Sequence, residues 1–81
     1  MNEQFRKLLS RATELADEEY GYDGSDYAEI VQEKFAELIV RECLDIAKNW
    51  EDQLENSSLL KESNAVGIVA YRIARQFGVK E

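Results

Sequence analysis

The chain has 81 residues and a formal net charge of -7, from ten Lys and Arg against seventeen Asp and Glu, and it contains no histidine or proline. A chain of this length forms one domain and buries only about 60% of its unfolded surface, so a monomer would be marginally stable. Without histidine there is no imidazole base and no Ser-His or Cys-His pair. The single cysteine, Cys43, can form neither a zinc site nor an intrachain disulfide. The composition therefore predicts a protein that is not an enzyme and that holds no metal or cofactor.

The single cysteine and the N-terminal sequence predict a cytoplasmic protein. No apolar run reaches the roughly 18 residues of a membrane-spanning helix, and the opening residues MNEQFRKLL lack the apolar stretch of a signal peptide. Neither of the glycine-rich phosphate-binding motifs, GxxxxGK(S/T) and GxGxxG, occurs. The acid excess opposes contact with nucleic-acid phosphates. We therefore expect no contact with a membrane and no direct DNA binding.

Apolar residues at helical spacing predict a first helix over residues 2–19. Its apolar face consists of Phe5, Leu8, Leu9, Ala12, Leu15 and Ala16. Asn2 is placed to cap the start of this helix, and Gly21 is placed to end it.

A turn-forming loop, GYDGSDY, follows at residues 21–27, and Ser25 or Asp26 can cap the next helix. Acidic residues surround the loop, no basic residue lies between Ala12 and Glu33, and tyrosines alternate with the acids. The candidate partner-contact residues are Tyr20, Tyr22, Asp23 and Tyr27. This pattern fits a surface that recognises a basic partner or that mimics the phosphates of a nucleic acid. It also fits an ordinary solvated loop between two capped helices, which is the more common origin of such a pattern.

The second helix, predicted over residues 27–50, is apolar on two sides. One stripe contains Val31, Phe35, Leu38, Ile39, Ile46 and Trp50, and a second contains Ala36, Val40, Cys43, Leu44 and Ala47. Together they cover about 240° of the circumference. Such a helix has to be covered on two sides. We therefore predict an all-α, three-helix chain that assembles into a homo-oligomeric helical bundle through the face formed by Phe35, Leu38, Ile39, Glu42, Ile46 and Trp50.

Two residues on the apolar part of the second helix, Glu42 and Cys43, are not simple hydrocarbons. Glu42 is a carboxylate among apolar neighbours, so we expect it to meet a basic partner such as Arg72 or Arg6 across a helix or subunit contact. Cys43 is interpreted as a small buried hydrophobic residue, because a reactive thiol would need exposure and a positive neighbour.

A polar segment, EDQLENSS at residues 51–58, is predicted to separate the second helix from a third over residues 59–77, with the serines as caps. Gly67, Ala70 and Ala74 lie on one flank of the third helix and would allow another helix to approach closely. Gly78 can adopt the left-handed conformation that ends a helix, and Val79 can then fold back on the last turn.

The third helix also carries a basic side, and its candidate ligand-binding residues are Lys61, Tyr71, Arg72 and Arg75. Two arginines one turn apart beside an aromatic ring can grip a phosphate or stack on a base. The alternative is a solvated face whose arginines pair with acids of the first helix or of another subunit.

Two segments carry a resemblance to a known class of proteins. Residues 34–47, KFAELIVRECLDIA, and residues 75–79, RQFGV, together resemble short accessory proteins of tailed bacteriophages. The loop at residues 21–27 and the segment at residues 51–58 have no counterpart in the resemblance. It implies a viral protein that works in the host cytoplasm in an anti-defence role, and it implies no catalytic residues.

Three functional hypotheses follow from these patterns. In the first, a homo-oligomer sequesters a small anionic nucleotide signal of host immunity through the basic side of the third helix. In the second, the acidic, tyrosine-rich loop binds a host or phage protein. In the third, oligomerisation itself is the function.

Overall fold

The computed structural model describes residues 1–20 and 26–79, and over these residues the chain is entirely helical apart from short turns. Helix α1 comprises Glu3–Tyr20, α2 comprises Tyr27–Asn56 and α3 comprises Leu60–Phe77. The predicted all-α class is confirmed. The predicted helix end at Gly21 and the predicted cap at Ser25 lie outside the described residues.

The chain divides into two compact units, Met1–Ile39 and Val40–Glu81, and α2 contributes a segment to each. Each unit is described below by itself. The expectation of a single domain stays a prediction.

The first unit contains α1 and the start of α2. The side chain of Asn2 caps α1 as predicted, because its Oδ1 accepts a hydrogen bond of 2.9 Å from the backbone N–H of Phe5. Ala12 and Ala16, one turn apart on the predicted apolar face, have no exposed surface. At the first residue of α2, the Tyr27 hydroxyl donates a hydrogen bond of 2.7 Å to Asp17 Oδ1 on α1. This contact ties the start of α2 to the last turns of α1.

We expect Tyr27→Phe to lower the free energy of unfolding by about 1 kcal/mol, because it removes the hydroxyl and leaves the half-buried Asp17 without that donor. Urea unfolding monitored by circular dichroism measures the change. The matched control is Tyr71→Phe, which removes the hydroxyl of an exposed tyrosine and should leave stability unchanged. Equal losses in the two variants would contradict the structural role of the Tyr27 hydroxyl.

The second unit is a helical hairpin made by the later part of α2 and by α3. Glu51 contacts Ser63 near the connecting turn, and Leu44 packs with Ala70 farther from it, so the two helices run antiparallel. Leu44, Ala70 and Ala74 form the buried cluster, surrounded by the partly buried Val40, Ala47, Ile73 and Val79. The small-residue flank predicted for α3 is therefore confirmed as the side that meets α2. No large side chain among the described residues is completely buried.

The prediction that the second helix ends at Trp50 is wrong, because α2 continues to Asn56. Leu54 continues the face formed by Val40, Leu44 and Ala47, and it is half-buried. The added residues include Glu51, Gln53 and Glu55, and such residues are good helix formers, so charge in this segment does not interrupt the helix. The predicted eight-residue break is reduced to residues 57–59.

The predicted serine caps of α3 are also wrong. The N-terminal cap position of α3 is occupied by Leu59, which makes no capping hydrogen bond with its side chain. Ser58 instead adopts a left-handed conformation, with φ of 63°, and ends α2. The backbone N–H of Leu59 donates to the carbonyl of Leu54 (2.9 Å) and that of Ser58 donates to Glu55 (3.0 Å). This pair of bonds is a Schellman motif, in which glycine is the favoured residue at the left-handed position.

We therefore expect Ser58→Gly to raise the free energy of unfolding by about 0.5–1 kcal/mol, because a residue with a Cβ is strained at this φ. The midpoint of urea unfolding would report the gain. Ser57→Gly is the control, since it makes the same chemical change beside the left-handed position and should not stabilise. A Ser58→Gly protein less stable than the natural chain would show that the Ser58 side chain contributes to the turn.

The C-terminus of α3 follows the sequence prediction. Gly78 has φ of 66°, and the backbone N–H of Val79 donates to the carbonyl of Ala74 at 2.9 Å. Val79 packs against the buried cluster. Gly78 and Val79 therefore form a second Schellman motif with its usual apolar contact.

Gly67 of α3 lies against the half-buried side chain of Glu51 on α2. A Cβ added at Gly67 would lie 3.2 Å from the Glu51 carboxyl carbon, which is close but is met by the far end of a flexible side chain. Nearby, the Ser63 hydroxyl donates to the backbone carbonyl of Glu51 at 3.0 Å. Both contacts hold the hairpin together next to its turn.

We expect Gly67→Ala to raise the free energy of unfolding by about 0.5–1 kcal/mol, because alanine is favoured over glycine in a helix by about 1 kcal/mol and the Glu51 carboxylate can move by a few tenths of an ångström. Thermal and urea unfolding would measure it. Ala65→Gly, at an exposed position of the same helix, calibrates the helix-propensity difference alone. A destabilised Gly67→Ala protein would mean that Glu51 is held rigidly in place.

Candidate ligand-binding site

A surface depression of about 570 Å³ lies on α3. Its described lining residues are Ile68, Tyr71, Arg72, Arg75 and Gln76. We call this feature the basic depression. The five residues fall within two and a half turns of one helix, so the backbone of α3 sets their spacing.

The basic depression exists because the opposite side of α3 packs against α2. Ser63, Ala70 and Ala74 are the buried residues of α3. At 100° per residue, Arg72 points about 180° away from that buried side and Arg75 about 120° away. All five lining side chains are exposed. Both guanidinium groups are therefore presented to solvent beside one aromatic ring.

Neither of the two arginines forms an ion pair within residues 1–20 and 26–79, so no described acidic group offsets their positive charge. Two of the three basic residues of α1 differ in this respect. Lys7 pairs with Glu3 at 3.8 Å and Arg11 pairs with Glu14 at 3.1 Å, all on exposed side chains. A second depression, of about 360 Å³, is lined by these α1 residues together with Arg6 and Ser10 and has mixed charge. The basic depression on α3 is thus the better anion site of the two.

Three of the four candidate ligand-binding residues meet in the basic depression. Tyr71, Arg72 and Arg75 line it. Lys61 is exposed but is not among the described lining residues, and its backbone lies roughly 16 Å from Arg72 along the helix axis. Sequence reasoning overlooked Gln76, although its position one turn after Arg72 places it on the same side.

The candidate partner-contact residues are only partly described. Tyr22, Asp23 and the side chain of Tyr20 lie outside the described residues. Tyr27 is half-buried, and its hydroxyl is bonded to Asp17, so this residue has a structural role in the first unit. The hypothesis of a partner-binding loop stays a prediction.

The predicted apolar face of α2 differs along its length. Phe35, Leu38 and Ile39 are half-buried, whereas Ile46 and Trp50 are 55% and 56% exposed. Glu42 is exposed, so it carries no cost of burial within this chain. The expectation that Cys43 is buried is wrong for the single chain, because Cys43 lies on the exposed flank of α2 beside Ile46.

A smaller pocket, of about 150 Å³, lies in the second unit between α2 and α3. Its described lining residues are Leu44, Asp45, Lys48, Glu51 and Ala70. This volume is below the roughly 300–1,000 Å³ of typical small-molecule sites. No group of three Cys, Asp or Glu side chains in the described part of the chain is arranged to hold a metal ion.

The described side chains of the basic depression are of types that can bind a phosphate group and a planar base. Guanidinium groups donate paired hydrogen bonds to phosphate oxygens, a phenol ring stacks on a planar base, and the Gln76 amide can both donate and accept. Among the described lining residues there is no nucleophile paired with a base.

Comparison of the chain with models of known protein families, with curated proteins and with solved structures gave no match. Within the described residues, no helix combines the length and the apolar character needed to cross a lipid bilayer.

Proposed function

We propose that this chain is a small, non-enzymatic binding protein that works as a homo-oligomer and holds a small anionic nucleotide in the basic depression of α3. The proposal is supported by Arg72 and Arg75, which form no ion pair with a described residue and lie beside Tyr71 in a depression of about 570 Å³. This volume is in the range of small-molecule sites.

The lining residues suit the parts of a nucleotide. Arg72 and Arg75 are one turn apart, so one phosphate group can accept hydrogen bonds from both. Tyr71 and Ile68 supply the flat and apolar surface that a base requires. Gln76 offers an amide to the base or sugar edge.

The total charge of the chain favours a small ligand over a nucleic acid. A long polyanion would meet the other acidic residues of a chain with net charge -7 and would be repelled by them. A ligand with one or two phosphates can be contained within the local positive field of two arginines. Binding of this kind lowers the concentration of free ligand without a chemical reaction. This is what a protein that sequesters a signal has to do.

The resemblance to accessory proteins of tailed bacteriophages supplies the biological context of the proposal. A viral chain of this kind would act in the host cytoplasm and bind a nucleotide-derived signal of host immunity. Self-association would place several basic depressions in one particle, one on each copy.

Isothermal titration calorimetry with cyclic dinucleotides and cyclic ADP-ribose isomers tests the proposal. We expect at least one of them to bind, and we expect Arg72→Ala and Arg75→Ala each to weaken its affinity about 10- to 100-fold, because each removes a charge-assisted contact with phosphate. Lys61→Ala is the matched control: it removes one positive charge from the same helix outside the depression and should reduce affinity less than threefold, as a long-range effect of one exposed charge.

Three outcomes would overturn the ligand proposal. One is the absence of heat with every nucleotide. Another is equal weakening by Lys61→Ala and Arg72→Ala, which would indicate a diffuse charge effect with no defined site. The third is binding that does not weaken as salt is raised, since contacts between exposed arginines and phosphates are screened by salt.

A further inference from the structure

We propose that the second unit binds a second copy of itself through one apolar face of the α2–α3 hairpin, so that two hairpins form a four-helix bundle. This apolar face consists of Cys43, Ile46 and Trp50 on α2 and of Val66, Val69, Ile73 and Phe77 on α3. The inference rests on the self-association part of the proposed function and does not depend on a ligand.

Helical geometry places these residues on one side of the hairpin. On α2 the residues Cys43, Ile46 and Trp50 lie about 70–130° from the buried direction, which is the mean direction of Val40, Leu44 and Ala47. On α3 the apolar residues lie on a single flank, about 40–120° from the buried direction defined by Ala70 and Ala74. Because the two helices are antiparallel, both flanks face the same way. The result is one continuous apolar surface across two helices.

The other side of the hairpin has a different character. It presents Asp45 and Lys48 of α2, which line the small pocket beside Ala70. Its α3 flank carries Tyr71 and Arg75 of the basic depression. The hairpin is therefore amphipathic as a whole, with one apolar side and one charged side, which is the pattern of half a helical bundle.

Four large side chains of the apolar face are more than half exposed. Ile46 is 55% exposed, Trp50 56%, Val69 56% and Phe77 64%. The buried interior of the second unit contains one large side chain, Leu44, with Ala70 and Ala74. More apolar surface of this unit thus lies outside its core than inside it, and burial of that surface is favourable at about 25 cal/mol per Å².

The area of the face matches what a stable pair requires. Large side chains exposed to this extent contribute roughly 100 Å² each, and the face amounts to roughly 600 Å² per copy. A pair of identical faces would bury roughly 1,200 Å², which reaches the lower limit of stable protein interfaces. A twofold pair uses the same surface on both copies, so no partner with a separate complementary surface is needed.

A second copy fits this face better than a charged partner does. None of the seven residues of the apolar face carries a charge, so the face offers no ion pair for an acidic or basic protein. The basic depression is centred on the other flank of α3. Pairing through the apolar face would leave one open depression on each copy.

Sedimentation equilibrium over a hundredfold dilution series tests the inference. We expect a species of twice the 9.3 kDa chain mass that dissociates on dilution. Ile46→Asp should raise the dissociation constant at least a hundredfold, because it places an unpaired carboxylate in the interface. The matched control is Ile68→Asp, the same change at a side chain of similar exposure (57%) on the opposite flank. It should leave the dissociation constant within threefold of the natural chain.

The outcomes separate this inference from the proposed function. If the natural chain sediments with a mass of 9.3 kDa at all concentrations, both the pairing of hairpins and the proposed self-association are wrong. A chain that associates equally well with either substitution would overturn only the apolar face as its contact. Nucleotide affinity should show the reverse pattern, being lowered by Ile68→Asp and retained in Ile46→Asp.

The thiol of Cys43 provides a readout that does not depend on a destabilising substitution. It is exposed in the single chain and lies within the apolar face. Its rate of reaction with a thiol reagent should therefore fall at least tenfold between the lowest and the highest protein concentration. A rate independent of concentration in a protein that sediments as a pair would place the contact elsewhere.

Discussion

Alanine side chains determine how closely α2 and α3 approach, and the surfaces of the second unit depend on that approach. Ala70 and Ala74 meet Leu44 across the hairpin, and Gly67 lets the Glu51 side chain lie directly on α3. Because the inner seam uses small residues, the larger apolar side chains of both helices remain on the outside. The exposed apolar face and the basic depression are both consequences of this arrangement, since each occupies a flank of α3 that the seam does not use.

The helices and the two ends of α3 show what periodicity and chain chemistry can predict. Asn2 caps α1 and Gly78 ends α3 as the sequence indicates, because each needs only local contacts. The end of α2 was not predictable in the same way. A polar run looks like a loop, but the half-buried Leu54 extends the packed face of the helix and keeps Glu51 and its neighbours helical. Tertiary packing in this segment outweighs the local turn signals of the two serines.

The candidate site was predictable as far as it depends on one helix. Tyr71, Arg72 and Arg75 share a side of α3 by spacing alone, and the structure brings them together in one depression. The same spacing also included Lys61, because a helical wheel shows direction and ignores distance along the axis. The exposure of Cys43 could not be derived from its apolar neighbours, since two adjacent apolar flanks of α2 look alike in sequence and only one of them packs against α3.

The position of Trp50 has an experimental consequence of its own. It is the only tryptophan of the chain, and it lies on the exposed flank of α2 rather than in the interior. An indole in water emits at longer wavelength than one in an apolar contact, so the intrinsic fluorescence of the unlabelled protein reports directly on the polarity around this one position. The chain thus contains its own spectroscopic probe, in a place where a change in surroundings would come from a neighbouring molecule.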